Sequence, residues 1–340
     1  MDRKMSEQEI IASFEKAINN REFFVVYQPQ INHSSGSMIG AEALVRWRHG
    51  ENGLQYPAEF IPVFERNNLI SRLDMYVVEE VCRFQRKCLD EYKTIVPVAV
   101  NISRQDVEVD EFIDKIDGIR GKYNVPVKYL RVEMDEAATE EGMRLAKEAL
   151  EKLHEREYII GINKFGSGYS SLNILRELEV DVLKLDIKSF GENIGGRTGV
   201  IIDSLVKMAR WLETPIIAQG VESVQQADYL RSVGCEYIQG DLYSKPLMED
   251  EFVKKIVELQ HEPVIASMQF VKEMNEEHFA EDPIVYGGAL NYGRGKIETI
   301  AKRMQQKVDA GCSYFLTQPI YAKEDMDRIR ALKERVDTKI

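Results

Sequence analysis

The chain is 340 residues long, 44% hydrophobic and 30% charged, with a formal charge of −12. That length can bury one large core, or a core and a satellite. The acidic balance argues against bulk nucleic acid or an anionic membrane surface as partner. No apolar run reaches the roughly 18 residues that a membrane span needs.

The N-terminal "MDRKMSEQEI" lacks the apolar region of a signal peptide. Residues 6–20 space Ile10, Ile11, Phe14 and Ala17 for an amphipathic lead-in helix. Strand and helix patterns then alternate. The expected strands are 23–31, 39–47, 96–103, 130–136, 159–166, 180–187, 215–221 and 237–243, with helical stretches such as "LDMYVVEEVCRFQRKCLDEY" between them. Eight strands with helical crossovers over about 240 residues fit a modified (β/α)8, TIM-like barrel of the α/β class. In that fold the C-terminal strand ends share one mouth. Here those ends carry Gln28, Glu42, Asn101, Glu133, Asn163, Lys164, Lys184, Gln219 and Gln239, which points to a ligand pocket. The "GSGYSS" run after the fifth of these strand tips lacks the "GK[ST]" of a P-loop and reads as a tight rim turn.

A polar linker is expected at 261–282. A βαβα appendage at 283–340 follows it, made of "PIVYGGALN", "KIETIAKRMQQKVDAG", "SYFLTQPIY" and "KEDMDRIRALKERV". Cys82, Cys88, Cys235 and Cys312 follow no metal-binding spacing, so reduced thiols and a cytoplasmic setting are expected. The five histidines, His33, His49, His154, His261 and His278, are scattered without ligand spacing.

"YQPQI" (27–31), "EALVRW" (42–47), "VNIS" (100–103), "KLD" (184–186), "GVE" (220–222) and "QGDLYSKP" (239–246) fall in an order that resembles the EAL domain family. Catalytic members of that family hydrolyse cyclic di-GMP to pGpG with Mg²⁺ or Mn²⁺, on a barrel whose first strand is antiparallel. The resemblance covers roughly residues 20–255 and implies roles position by position. Glu42, Asn101, Glu133 and Asn163 match metal ligands. Lys184, Gln219, Glu222 and Gln239 match the catalytic group. Gln28, Leu44 and Arg46 match nucleotide contacts, which Lys164 could extend.

The "ExTE" pattern appears as Glu133-Met134-Asp135-Glu136, without its threonine but with its acids, and three further positions change charge: Asn163 and Lys164 replace adjacent aspartates before "FG", and Gln219 replaces a glutamate. Together they raise the formal charge by four units, that of two divalent ions. The expectation is a degenerate site holding no metal, in which Lys164 and the two amides offset Glu42 and Glu133.

Two functions remain open. One is a cyclic di-GMP receptor that relays occupancy to a protein effector. The other is a protein-interaction scaffold that no longer binds nucleotide. Residual phosphodiesterase activity is a third, weaker expectation, and a homodimer is a further one. The lead-in helix resembles the connector after a GGDEF domain, so a fragment of a longer protein is expected. The tail is similar to part of a methylenetetrahydrofolate reductase barrel, with Lys307 and Gln318 at matching positions. That likeness suggests a composite or engineered chain.

Overall fold

In the computed structural model the described residues are 5–50, 52–92, 95–107, 111–135, 140–166, 176–191, 196–259, 272, 287–290, 297–310, 312–317 and 323–336. The chain divides into two compact units. One comprises 1–89 and 95–256, the other 90–94 and 257–340.

The larger unit is the barrel. Its strands are β1 (Phe23–Asn32), β2 (Met38–His49), β3 (Gly53–Gln55), β4 (Val98–Ile102), β5 (Leu130–Asp135), β6 (Ile159–Phe165), β7 (Val182–Asp186), β8 (Ile216–Gln219) and β9 (Tyr237–Gln239). β4 to β9 run parallel in sequence order, β2 pairs parallel with β4, and β1 pairs antiparallel with both β2 and β9. Those last pairings close the ring. Every expected strand is present; β3, a three-residue flap on the end of β2, was not expected. Its Gly53-Leu54-Gln55 is too short to carry an alternating pattern.

The strand exteriors are packed by helices that the apolar spacing predicts. Helix α1 (Glu7–Asn19) starts with a capping box in which Ser6 accepts from the Glu9 amide and the Glu9 carboxylate accepts from the Ser6 amide. Its Phe14 is buried against Phe64, 4.8 Å between ring centres, and Phe23, at 6.2 Å. The lead-in helix is therefore built into the barrel unit through an aromatic cluster that also holds Trp47 and Phe60.

β6 carries a bulge. Ile162 pairs with Leu183 and Phe165 with Leu185, so Asn163 and Lys164 together oppose Lys184 alone. Lys164 absorbs the extra residue at φ 55°, in the left-handed region, and its amide donates to Asn163 Oδ1 at 2.9 Å. For a residue with a Cβ that conformation costs on the order of 1–2 kcal/mol.

The smaller unit contains two βα units, β10 (Gly287–Leu290) and β11 (Tyr314–Thr317) with helices Ile297–Asp309 and Lys323–Lys333. The two strands pair in parallel, and Ile300, Met304, Phe315, Leu332 and Val336 form their own core. Most of the 261–282 stretch, the "GSGYSS" run and Gln318 lie outside the described residues.

Candidate functional site

The site grows from interior-facing positions at the strand ends. Glu42 on β2, Glu133 on β5 and Lys184 on β7 are all buried. The Lys184 ammonium sits between the two carboxylates, with Nζ 2.6 Å from Glu42 Oε2 and 2.8 Å from Glu133 Oε2. Glu42 Oε2 also accepts from Gln239 Nε2 at 2.6 Å, and Glu42 Oε1 accepts from Asn101 Nδ2 at 2.8 Å. Asn101 Oδ1 in turn accepts from Asn163 Nδ2 at 3.1 Å.

The electrostatics follow from this geometry. Burial pushes the Glu42 carboxyl up, but Lys184 and the amide donors outweigh it and hold it below the ordinary range. For Glu133 burial wins: its carboxyl lies above the ordinary range despite Lys184, with Glu42 adding to the rise. Its Oε1 is buried with no hydrogen-bond partner. Burial alone would depress Lys184, but the two glutamates keep its ammonium above the usual lysine value.

The cation on these carboxylates is Lys184, and this corrects the expectation that Lys164 would offset them. Lys164 points out of the mouth, with its Nζ 2.6 Å from Asp135 Oδ2, and both side chains are more than half exposed. Strand alternation is the physical reason. Gly161 faces Glu133 inside the barrel, so Asn163 faces inward too and its neighbour Lys164 stands on the rim.

Around the mouth lies a cleft of about 410 Å³ lined by Gln28, Glu42, Leu44, Arg46, Asn163, Lys164, Gln219, Glu222 and Gln239, among others. Nine of the expected site residues therefore share one cavity, while Asn101, Glu133 and Lys184 lie in the hydrogen-bonded cluster beneath it. Gln28 accepts from Gln239 Nε2 at 3.0 Å and donates to the Ser244 carbonyl at 3.3 Å. Arg46 is half-buried and lies 5.4 Å over the Tyr56 ring, a cation–π contact at the rim. Glu222 is exposed and pairs with Lys188 at 2.5 Å. Lys188 was missed in the sequence, although it stands two residues beyond the "KLD" motif and lines the same cleft.

The donor set does not fit a pair of divalent ions. Two carboxylates converge, Asn163 and Gln219 bring amides to the cleft in place of further acids, and the Asn101 oxygen is engaged by Asn163. Among the described residues no group of three or more His, Cys, Asp and Glu side chains is arranged to hold a metal. Nor is any helix among them long and apolar enough to cross a membrane.

A closed barrel whose strand tips gather amides, carboxylates and a lysine beneath one polar cleft is an α/β barrel of the TIM-like class. The chain belongs to the EAL domain family, whose model matches residues 11–246. Signaling protein YkoW of Bacillus subtilis is 34% identical over 245 residues, covering 72% of this chain and 30% of YkoW. The MucR phosphodiesterase in complex with cyclic di-GMP superposes with a TM-score of 0.66 at 30% identity, over 72% of this chain and 99% of that one. The EAL enzyme Bd1971, with cAMP and cyclic di-GMP bound, gives 0.68 at 26% identity, over 74% and 69%. The chain spans less than half the length of the curated relatives YkoW and Pseudomonas aeruginosa MucR.

Proposed function

We propose that this chain is a degenerate EAL domain that binds cyclic di-GMP without cutting it and passes occupancy to a protein effector. The observation that carries this reading is that Asn163, Lys164 and Gln219 line the cleft above Glu42 and Glu133 where catalytic members of the family carry carboxylates for divalent cations, with Asn163 tied to Asn101 and Lys164 to Asp135. The rim keeps what nucleotide recognition needs. Arg46 offers a planar guanidinium for a base edge or phosphate, and Lys164 and Lys188 supply positive charge at the cleft. The structural relatives MucR and Bd1971, each solved with cyclic di-GMP, support that ligand class.

Calorimetric titration with cyclic di-GMP in chelator tests the reading. Saturable heat is the expected result, and none would favour the protein-interaction scaffold. That second reading draws on the rim ion pairs Lys164–Asp135 and Lys188–Glu222, which already satisfy two of the cleft's cations. Incubation with Mn²⁺ and cyclic di-GMP followed by chromatography is expected to yield no pGpG; its appearance would overturn the non-hydrolytic assignment.

A further inference from the structure

Arg131 is an odd residue for a barrel interior. It lies on β5 two positions before Glu133, on the same inward face, and is buried. Burial holds its guanidinium below the usual arginine value, with Glu133 and Asp181 opposing the shift. Its Nε has no hydrogen-bond partner. A buried charge with this little direct compensation destabilises a core.

Its Nη1 donates to Gln30 Oε1 at 3.1 Å. Gln30 Nε2 donates to Gln239 Oε1 at 3.0 Å, and Gln239 Nε2 donates to both Glu42 Oε2 and Gln28 Oε1. The chain has one direction. Arginine has no acceptor and an ionised carboxylate has no donor, so the two ends together fix which way each amide between them faces. Without Arg131, Gln30 could turn over and withdraw its donor from the Gln239 oxygen, leaving Glu42 and Gln28 alone to orient that amide.

We infer that Arg131 is a positioning residue: through Gln30 it holds the Gln239 amide with its NH2 toward Glu42 and Gln28, and so presets the floor of the ligand cleft from inside the barrel. The ligand part of this inference rests on the receptor reading above; the amide orientation does not.

The test uses the full chain and two variants. Arg131→Met removes the donor that sets the direction. Gln30→Glu keeps an acceptor for Arg131, and thus its charge partner, but can no longer donate to Gln239. Its carboxylate instead draws the Gln239 NH2 away from Glu42. The readout is the pair of Gln239 side-chain amide resonances in nitrogen–proton spectra, assigned by their loss in Gln239→Leu.

Both variants are expected to shift those resonances and speed their exchange with solvent, while the Gln30→Glu variant keeps the wild-type melting temperature. Unchanged Gln239 resonances in Gln30→Glu would overturn the inference, and that variant decides the matter if Arg131→Met fails to fold. Titration with cyclic di-GMP is the second arm, with affinity expected to fall about tenfold in Gln30→Glu, the scale of one hydrogen bond to a charged or ligand-facing group. If the wild type binds no cyclic di-GMP, the receptor reading fails and the resonances still decide the role of Arg131.

Discussion

Replacing Lys184 with methionine isolates the charge on which the site's arrangement turns. The side chains are close in length, so the change removes the ammonium and leaves most of the packing. The ammonium lies 2.6 and 2.8 Å from its two carboxylate oxygens, so those oxygens are at most 5.4 Å apart, the sum of the two distances. Two unit charges about 5 Å apart repel by about 3 kcal/mol at an effective dielectric of about 20. That agrees with the roughly 3–5 kcal/mol lost when one partner of a buried ion pair is removed.

The penalty depends on pH in a definite direction. Without Lys184 the main cause lowering Glu42 is gone and Glu133, already raised, rises further, so both folded-state values exceed the unfolded 4.5. The folded variant then binds more protons than the unfolded chain, and its deficit shrinks as pH falls toward that value. Urea unfolding followed by the fluorescence of Trp47, which is fully buried, measures it. The expected deficit is about 3 kcal/mol near pH 7.5 and distinctly less near pH 5.5. A deficit below about 1 kcal/mol, or one equal at both pH values, would refute the assignment of Lys184 as the cation that the carboxylates depend on.

Restoring Asn163→Asp, Lys164→Asp and Gln219→Glu together is expected to confer Mn²⁺-dependent cleavage of cyclic di-GMP to pGpG, seen by chromatography; a silent triple variant would mean that the donor set is not what separates this site from a catalytic one. Gly161→Ala would place a Cβ 2.9 Å from Glu133 Cγ and push the carboxylate off Lys184. The expected loss in urea unfolding is about 1–3 kcal/mol. Burial pushes the Cys82 and Cys235 thiols up to about 12. Both should therefore resist alkylation in the native protein at mildly alkaline pH and react once denatured, as peptide mass analysis would show; rapid native labelling would contradict their burial.

The barrel was legible because its strands are runs of β-branched and aromatic residues cut by helical spacing, and because polar tips recur at one end of them. The gathering of Gln28, Glu42, Arg46, Asn163 and Gln239 in one cleft follows from that pattern. The partner of each charge did not. Lys164 and Lys184 are equally cationic on paper. Strand alternation turns Lys164 to the rim, whereas the register shift that follows at Phe165 is not encoded by local composition. The Arg131–Gln30 link had a signal of a kind: Arg131 precedes Glu133 by two, so strand alternation already places both on the inward face. Its partner comes from β1, and only the antiparallel closure of the barrel sets Gln30 opposite Gln239.

The doubled residue on β6 also sets the parity of everything that follows it. Because Asn163 and Lys164 share one step of the ladder, Phe165 falls beside Leu185, on the outward side away from Lys184, and is completely buried there. Were Asn163 and Lys164 each paired with a partner of its own, Phe165 would move on to Asp186 and turn half a turn, delivering an aromatic ring into the polar cavity. Doubling up on one rung thus keeps water-loving chemistry and oily packing on opposite sides of the same ribbon.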